Sequence, residues 1–128
     1  MASTPIFIGT AKSPTVQIAT ANTGRDGTGT LGTVYTAGAS GARIDRINIT
    51  ATGTTTAGMV RLFIFNGTSN FLISELPVVS VTPSATQPAF TADIVFDQGL
   101  VMTAAYQLRA TTNNAETFNV TVTNGGDF

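Results

Sequence analysis

Apolar and polar residues alternate along most of this chain. Phe90, Ala92, Ile94 and Phe96 are set against Thr91, Asp93 and Asp97, and Phe118, Val120 and Val122 against Asn119, Thr121 and Thr123. A period of two puts one set on each face of a β-strand. Val16, Ile18 and Thr20 begin the series, followed by "TVYTA" after Gly32 and by "RIDRINITA", where Ile47, Ile49 and Ala51 are in phase. "GMVRLFIFNGT" closes on the turn pair Asn66-Gly67, and "NFLISELPV" stops at Pro77. After the loop "TPSATQP", the run "LVMTAAYQLRATT" reads as one strand with Met102, Ala104, Tyr106 and Leu108 on one side. No long stretch carries apolar residues at i, i+3, i+4 and i+7, so no long helix is expected. The pattern predicts an all-β fold: a single β-sandwich or jelly roll of about eight antiparallel strands. It spans residues 15–128 behind an N-terminal arm, residues 1–14.

One strand breaks the alternation. In "MVRLFIF", Val60, Leu62 and Ile64 form one face, while Phe63 and Phe65 make the opposite face apolar too, beside Met59 and interrupted by Arg61. A sandwich strand buries one face and wets the other, so a strand apolar on both needs a second cover. The arm segment Pro5, Ile6, Phe7 and Ile8, a long loop, or another chain can supply it. The expectation is an interface of Met59, Arg61, Phe63 and Phe65 with the arm as a second attachment segment, in a homo-oligomer.

Composition narrows the function. Charged residues make up 10% of the 128 residues, well below the roughly 25% of ordinary soluble domains. A surface of Thr, Ser, Asn and Gly offers little charge repulsion between copies, which suits a protein that is assembled onto something. The net charge is −1, with Lys12 and five scattered arginines, so the basic footprint of a nucleic-acid binder is missing. No apolar run approaches the ~20 residues of a membrane-spanning helix, and "MASTPIFIGTAKSPT" does not read as a signal peptide. No nucleic-acid or membrane partner is expected.

The chain has no cysteine and no histidine. That removes thiolate ligands, the commonest general base and the commonest metal ligand. The seven acids are scattered, and no hydroxyl has a base to activate it. The reading is a non-enzyme with no cofactor and no metal. The literal G-x-G-x-x-G of "RDGTGTLGTVY", at Gly27, Gly29 and Gly32, leads into the β-branched "TVYT" and not into a helix. A dinucleotide site needs the helix N-terminus, so these glycines are read as a turn in a hairpin loop. "RIDR" places Arg43 and Asp45 on one face and Arg46 on the other, and is read as a short-range ion pair or a cross-strand pair and not as an anion site. The sequons at Asn48, Asn66 and Asn119 are expected by chance in so Asn- and Thr-rich a chain.

The run Asn22 to Thr68, above all "RDGTGT", "GARIDRI" and "TTTAGMVRLFI", with a weaker echo in "SELPV" at Ser74–Val78, resembles small β-rich virion structural proteins of tailed bacteriophages. The resemblance is most like capsid decoration (cement) proteins. It implies a virion component on the capsid surface, assembled in the host cytoplasm. It also implies binding to the major capsid protein and oligomers, with a trimer the first choice. Head-fibre, spike and tail proteins share the composition. A carbohydrate-binding or adhesive sandwich is the competing class, although Trp is absent and only Tyr35 and Tyr106 are present.

Overall fold

The computed structural model describes residues 8–128, and among them there is no helix. Nine strands form: β1 (Thr10–Ala11), β2 (Thr15–Ile18), β3 (Gly32–Thr36), β4 (Ala42–Ala51), β5 (Gly58–Phe65), β6 (Asn70–Val78), β7 (Thr91–Met102), β8 (Gln107–Thr112) and β9 (Phe118–Asp127). All strand pairs are antiparallel. One sheet runs β1-β9-β4-β7, with β2 also on β9, and the other runs β3-β8-β5-β6. The result is a two-layer sandwich. The pairs β2–β9, β3–β8, β4–β7 and β5–β6 are nested in sequence, a nesting that jelly rolls share.

The inward positions of the alternation build the core. Ile44, Ile47, Ile49, Val60, Leu62, Leu108, Val120 and Val122 are all fully buried between the sheets. Phe90 and Phe118 meet edge to face with centroids 6.3 Å apart, the geometry the ring quadrupoles favour. Because β2 and β9 lie against β3 and β8, the sheets stack with β1 and β2 over β3. The other two edges, β6 and β7, therefore share the opposite side of the sandwich.

Three local readings change. The run taken as one strand from Leu100 to Thr112 is two. Leu100–Met102 finish β7, then Ala105 takes φ 66° and Tyr106 N–H donates to Thr103 O, turning the chain into β8. Conversely, Gly99 does not end a strand. Gln98 at φ 65° and Gly99 at φ 85° lie inside β7, where the register against β4 slips between Ile44 and Arg46. Two steps along β4 there face five along β7, and the register against β9 shifts at the same place, so Ile44 and Ile47 are both buried in the core while Arg46 joins Arg43 on the outer face. Of the expected arm, residues 1–7 lie outside the described residues. Residues 8–14 belong to the body, since Thr10 and Ala11 pair with Asp127 and Gly126 and Val122 N–H donates to Pro14 O.

Candidate functional site

The expected interface on β5 is largely covered by the chain itself. Phe63 is 1% exposed, yet it stands outside the core between the sheets. It lies on the outer face, level with Arg109 of β8 and Leu72 of β6. Phe65 lies beneath Arg109, whose guanidinium carbon sits 3.7 Å from the ring centroid. Arg61 is 4% exposed; its Nε donates to Glu75 Oε1 at 2.8 Å and its NH1 to Asn113 Oδ1 at 3.2 Å. Met59 is half-buried and its carbonyl accepts from Asn113 N–H. Of the residues expected at an interface between chains, Arg61 and Phe63 therefore keep almost no surface to offer another chain, while Met59 and Phe65 are partly covered. Of the arm residues, Pro5, Ile6 and Phe7 lie outside the described residues, and Ile8 packs beside Gly126 of β9.

Beside this face, the glycine-rich segment is tied to β6. Leaving β2 in one sheet, the chain bridges to Thr112 at Ala21 and runs through Asn22–Leu31 before entering β3 in the other sheet. It is a crossover between sheets, not the hairpin loop read from the sequence. Gly27 lies tight on β6: its carbonyl accepts from Asn70 Nδ2, and a Cβ there would sit 2.5 Å from Asn70 O. Arg25 Nε donates to the same Glu75 Oε1 that Arg61 holds. Inside the segment, Asn22 Nδ2 donates to Thr28 O and Thr30 O. Asp26 Oδ1 accepts from both the hydroxyl and the N–H of Thr28, which holds the Asp26 carboxyl below its ordinary range. Gly27 and Gly29 take φ 83° and 85°, the left-handed region open to glycine. The glycines turn the chain, as read, and no helix follows them.

Two bonds from Arg61 and Arg25 also hold the Glu75 carboxyl below its ordinary range. One carboxylate accepts from two guanidiniums, with the neutral Asn113 taking a further bond from Arg61, so the cluster cross-links the crossover segment to β5 and β6. Elsewhere, Arg43 Nε pairs with Asp45 Oδ1 at 3.0 Å, the short-range one of the two pairings expected for "RIDR". The β7 bulge places this pair with Arg46, Asp97 and Gln98 around a depression of about 620 Å³ on the outer face of the first sheet. Its two arginines face two aspartates, leaving no net field for an ion. Among the described residues no group of three or more His, Cys, Asp or Glu side chains is placed to hold a metal.

What remains uncovered is confined to one side. Among the described residues, the five large apolar side chains that stay exposed are Phe71, Ile73, Val79, Val95 and Val101, at 40–67%. All of them fall on the edge strands β6 and β7 or directly after β6. Sequence reasoning missed this side, because Phe71 and Val95 alternate like core residues and nothing local marks β6 and β7 as edges. No protein-family model, no curated protein and no solved structure matches this chain.

Proposed function

We propose that the chain is a non-enzymatic structural component of a tailed-phage virion: a capsid decoration protein that binds the major capsid protein on the outside of the shell. One observation carries this reading. Three of the segments on which the resemblance rests, "RDGTGT", "TTTAGMVRLFI" and "SELPV", meet in space at a single acceptor. Arg25 from the first and Arg61 from the second both donate to Glu75 of the third. Segments that look alike and also build one tertiary cluster behave as a structural signature. Scattered composition gives no such convergence. The same cluster supports a rigid body, since it ties the crossover segment to two strands of one sheet.

The role asks for a body that keeps its shape on a shell and needs no cofactor. Short strands with Thr-rich outer faces and a covered aromatic face fit it. Mass spectrometry of virions of the phage that encodes the chain tests the proposal. Copy numbers comparable with the major capsid protein are expected. A few copies per particle would assign the chain to a spike, head fibre or tail instead, and absence from the virion would overturn the reading.

A further inference from the structure

We infer that copies of this chain join head to tail, the segment Ala2–Phe7 of one copy adding as a strand to the open edge of β7 in the next. The inference goes beyond the capsid-binding reading and does not depend on it.

The acceptor is the side described above. Among the described residues no strand pairs with the outer edge of β7, and from Thr91 to Val95 its register is regular, with the bulge at Gln98 and Gly99 lying only beyond that stretch. An exposed edge presents a row of free N–H and C=O groups that a second strand can use. A strand laid there extends the first sheet, so its inward side chains project towards β6 at the edge of the other sheet. Phe71 stands there, 54% exposed, with Ile73 at 40%. An added strand with apolar inward residues covers both.

The donor is argued from where the described chain begins. Ile8 lies beside β9, at the edge of the first sheet opposite to β7. Gly9 N–H donates to Asp127 O, the last residue of β9, so the described chain begins at the end of that strand. Residues 2–7, "ASTPIF", carry no charge and include Ile6 and Phe7. Six residues reach about 20–22 Å when extended, enough to lie along Thr91–Phe96. Pro5 has no N–H, which an outermost strand tolerates.

The alternative of two β7 edges pairing with each other is disfavoured by charge. Centred on Val95, such a pair sets Asp93 of one copy opposite Asp97 of the other, and like charges directly opposed destabilise a sheet. Donor and acceptor on opposite sides of one body make a heterologous contact, which closes into a ring when the rotation allows.

Light scattering on the full chain at micromolar concentration tests this. A small closed oligomer is expected for the wild type. Monomers with unchanged circular dichroism are expected for a chain lacking residues 2–7 and for Phe71→Asp. Mixed together, those two variants should form a dimer and nothing larger, since one keeps only the acceptor and the other only the donor. The chain has no cysteine of its own, so Phe7→Cys combined with Phe71→Cys should crosslink one copy to the next. A monomeric wild type, oligomers that persist in both variants, or crosslinks formed only within one chain would overturn the inference.

Discussion

Arg109 lies over the ring of Phe65, its guanidinium carbon 3.7 Å from the centroid. The plane is fixed by three hydrogen bonds: Nε and NH2 to Gln107 Oε1, at 3.0 and 2.8 Å, and NH1 to Asn70 Oδ1 at 3.2 Å. A side chain that reads as a surface charge thus serves as a lid over an aromatic ring. Arg109→Ala removes the cation–π contact, about 0.5–2 kcal/mol, together with the packing of its stem. Arg109→Lys should recover only part, since an ammonium cannot keep the forked geometry. Denaturant titration of both variants, combined with Phe65→Leu in a double-mutant cycle, measures the coupling. A coupling near zero would show that the ring is covered without Arg109.

Gly27 of the crossover segment and Gly67 of the β5–β6 turn meet two different demands. Gly27 combines φ 83° with a neighbour, Asn70 O, 2.5 Å from where a Cβ would sit, whereas Gly67 has φ 96° and open space around it. A left-handed backbone costs a side-chain-bearing residue about 1–2 kcal/mol. Gly67→Ala should lose about that much. Gly27→Ala should lose more, because backbone of β6 must also move. The difference between the two melting temperatures reads the contact alone; equal losses would mean that the segment does not press on β6.

The period-two alternation revealed the sandwich, because side chains on a pleated strand have no other way to sort themselves between core and water. It failed where backbone conformation overrode pattern. The turn at Ala105 carries no glycine or proline, and the Gln98-Gly99 pair looks like a turn but continues a strand as a bulge. The second face of β5 was correctly seen to need a cover, but Phe63 and Phe65 cannot announce which segment supplies it. Glycine density in "RDGTGT" was legible as a turn. Its landing place on Asn70 and Glu75, 43 and 50 residues further along, depends on tertiary register and has no local signal.

Acid should weaken the end of the sandwich where the chain is tied shut. Burial raises the pKa of the Asp127 carboxyl, but Lys12 Nζ at 2.6 Å, the Tyr35 hydroxyl at 2.7 Å and the Gly38 N–H outweigh it and hold the group below its ordinary value of 3.8. A group depressed in the folded state contributes stability above its unfolded value and loses it as pH falls through the folded one. Asp127→Asn should therefore be less stable than the wild type near neutrality, and the gap should close as pH drops below 3.8. Tyr35 behaves in the opposite sense. Burial first, and then Asp127, push its hydroxyl well above the ordinary 10.0, so its contribution holds below pH 10 and is lost as pH climbs through the raised value. Thermal melts of wild type and Asp127→Asn from neutral pH into acid check the first claim; a gap that stays constant would contradict it.

Thr111 should be replaceable at a gain. Its side chain is 1% exposed, and its Oγ1 has no hydrogen-bond partner among the described residues. It sits on β8, opposite the buried Arg61, at the wall of a depression of about 90 Å³ shared with Ile18, Leu31 and Gly32. A buried hydroxyl without a partner costs about 1–3 kcal/mol of desolvation that nothing returns. Valine keeps the branched shape and the strand preference of threonine while removing the hydroxyl. Thr111→Val is therefore expected to stabilise the fold by about 1 kcal/mol, raising the melting temperature by a few degrees with the secondary structure unchanged. Thr112→Val serves as the control, because Thr112 Oγ1 donates to Asn114 O at 2.8 Å. It lies on the same strand, is as deeply buried, and should destabilise. If Thr111→Val destabilises as well, its hydroxyl is bonded through a water in the adjoining depression, and the two threonines do the same work.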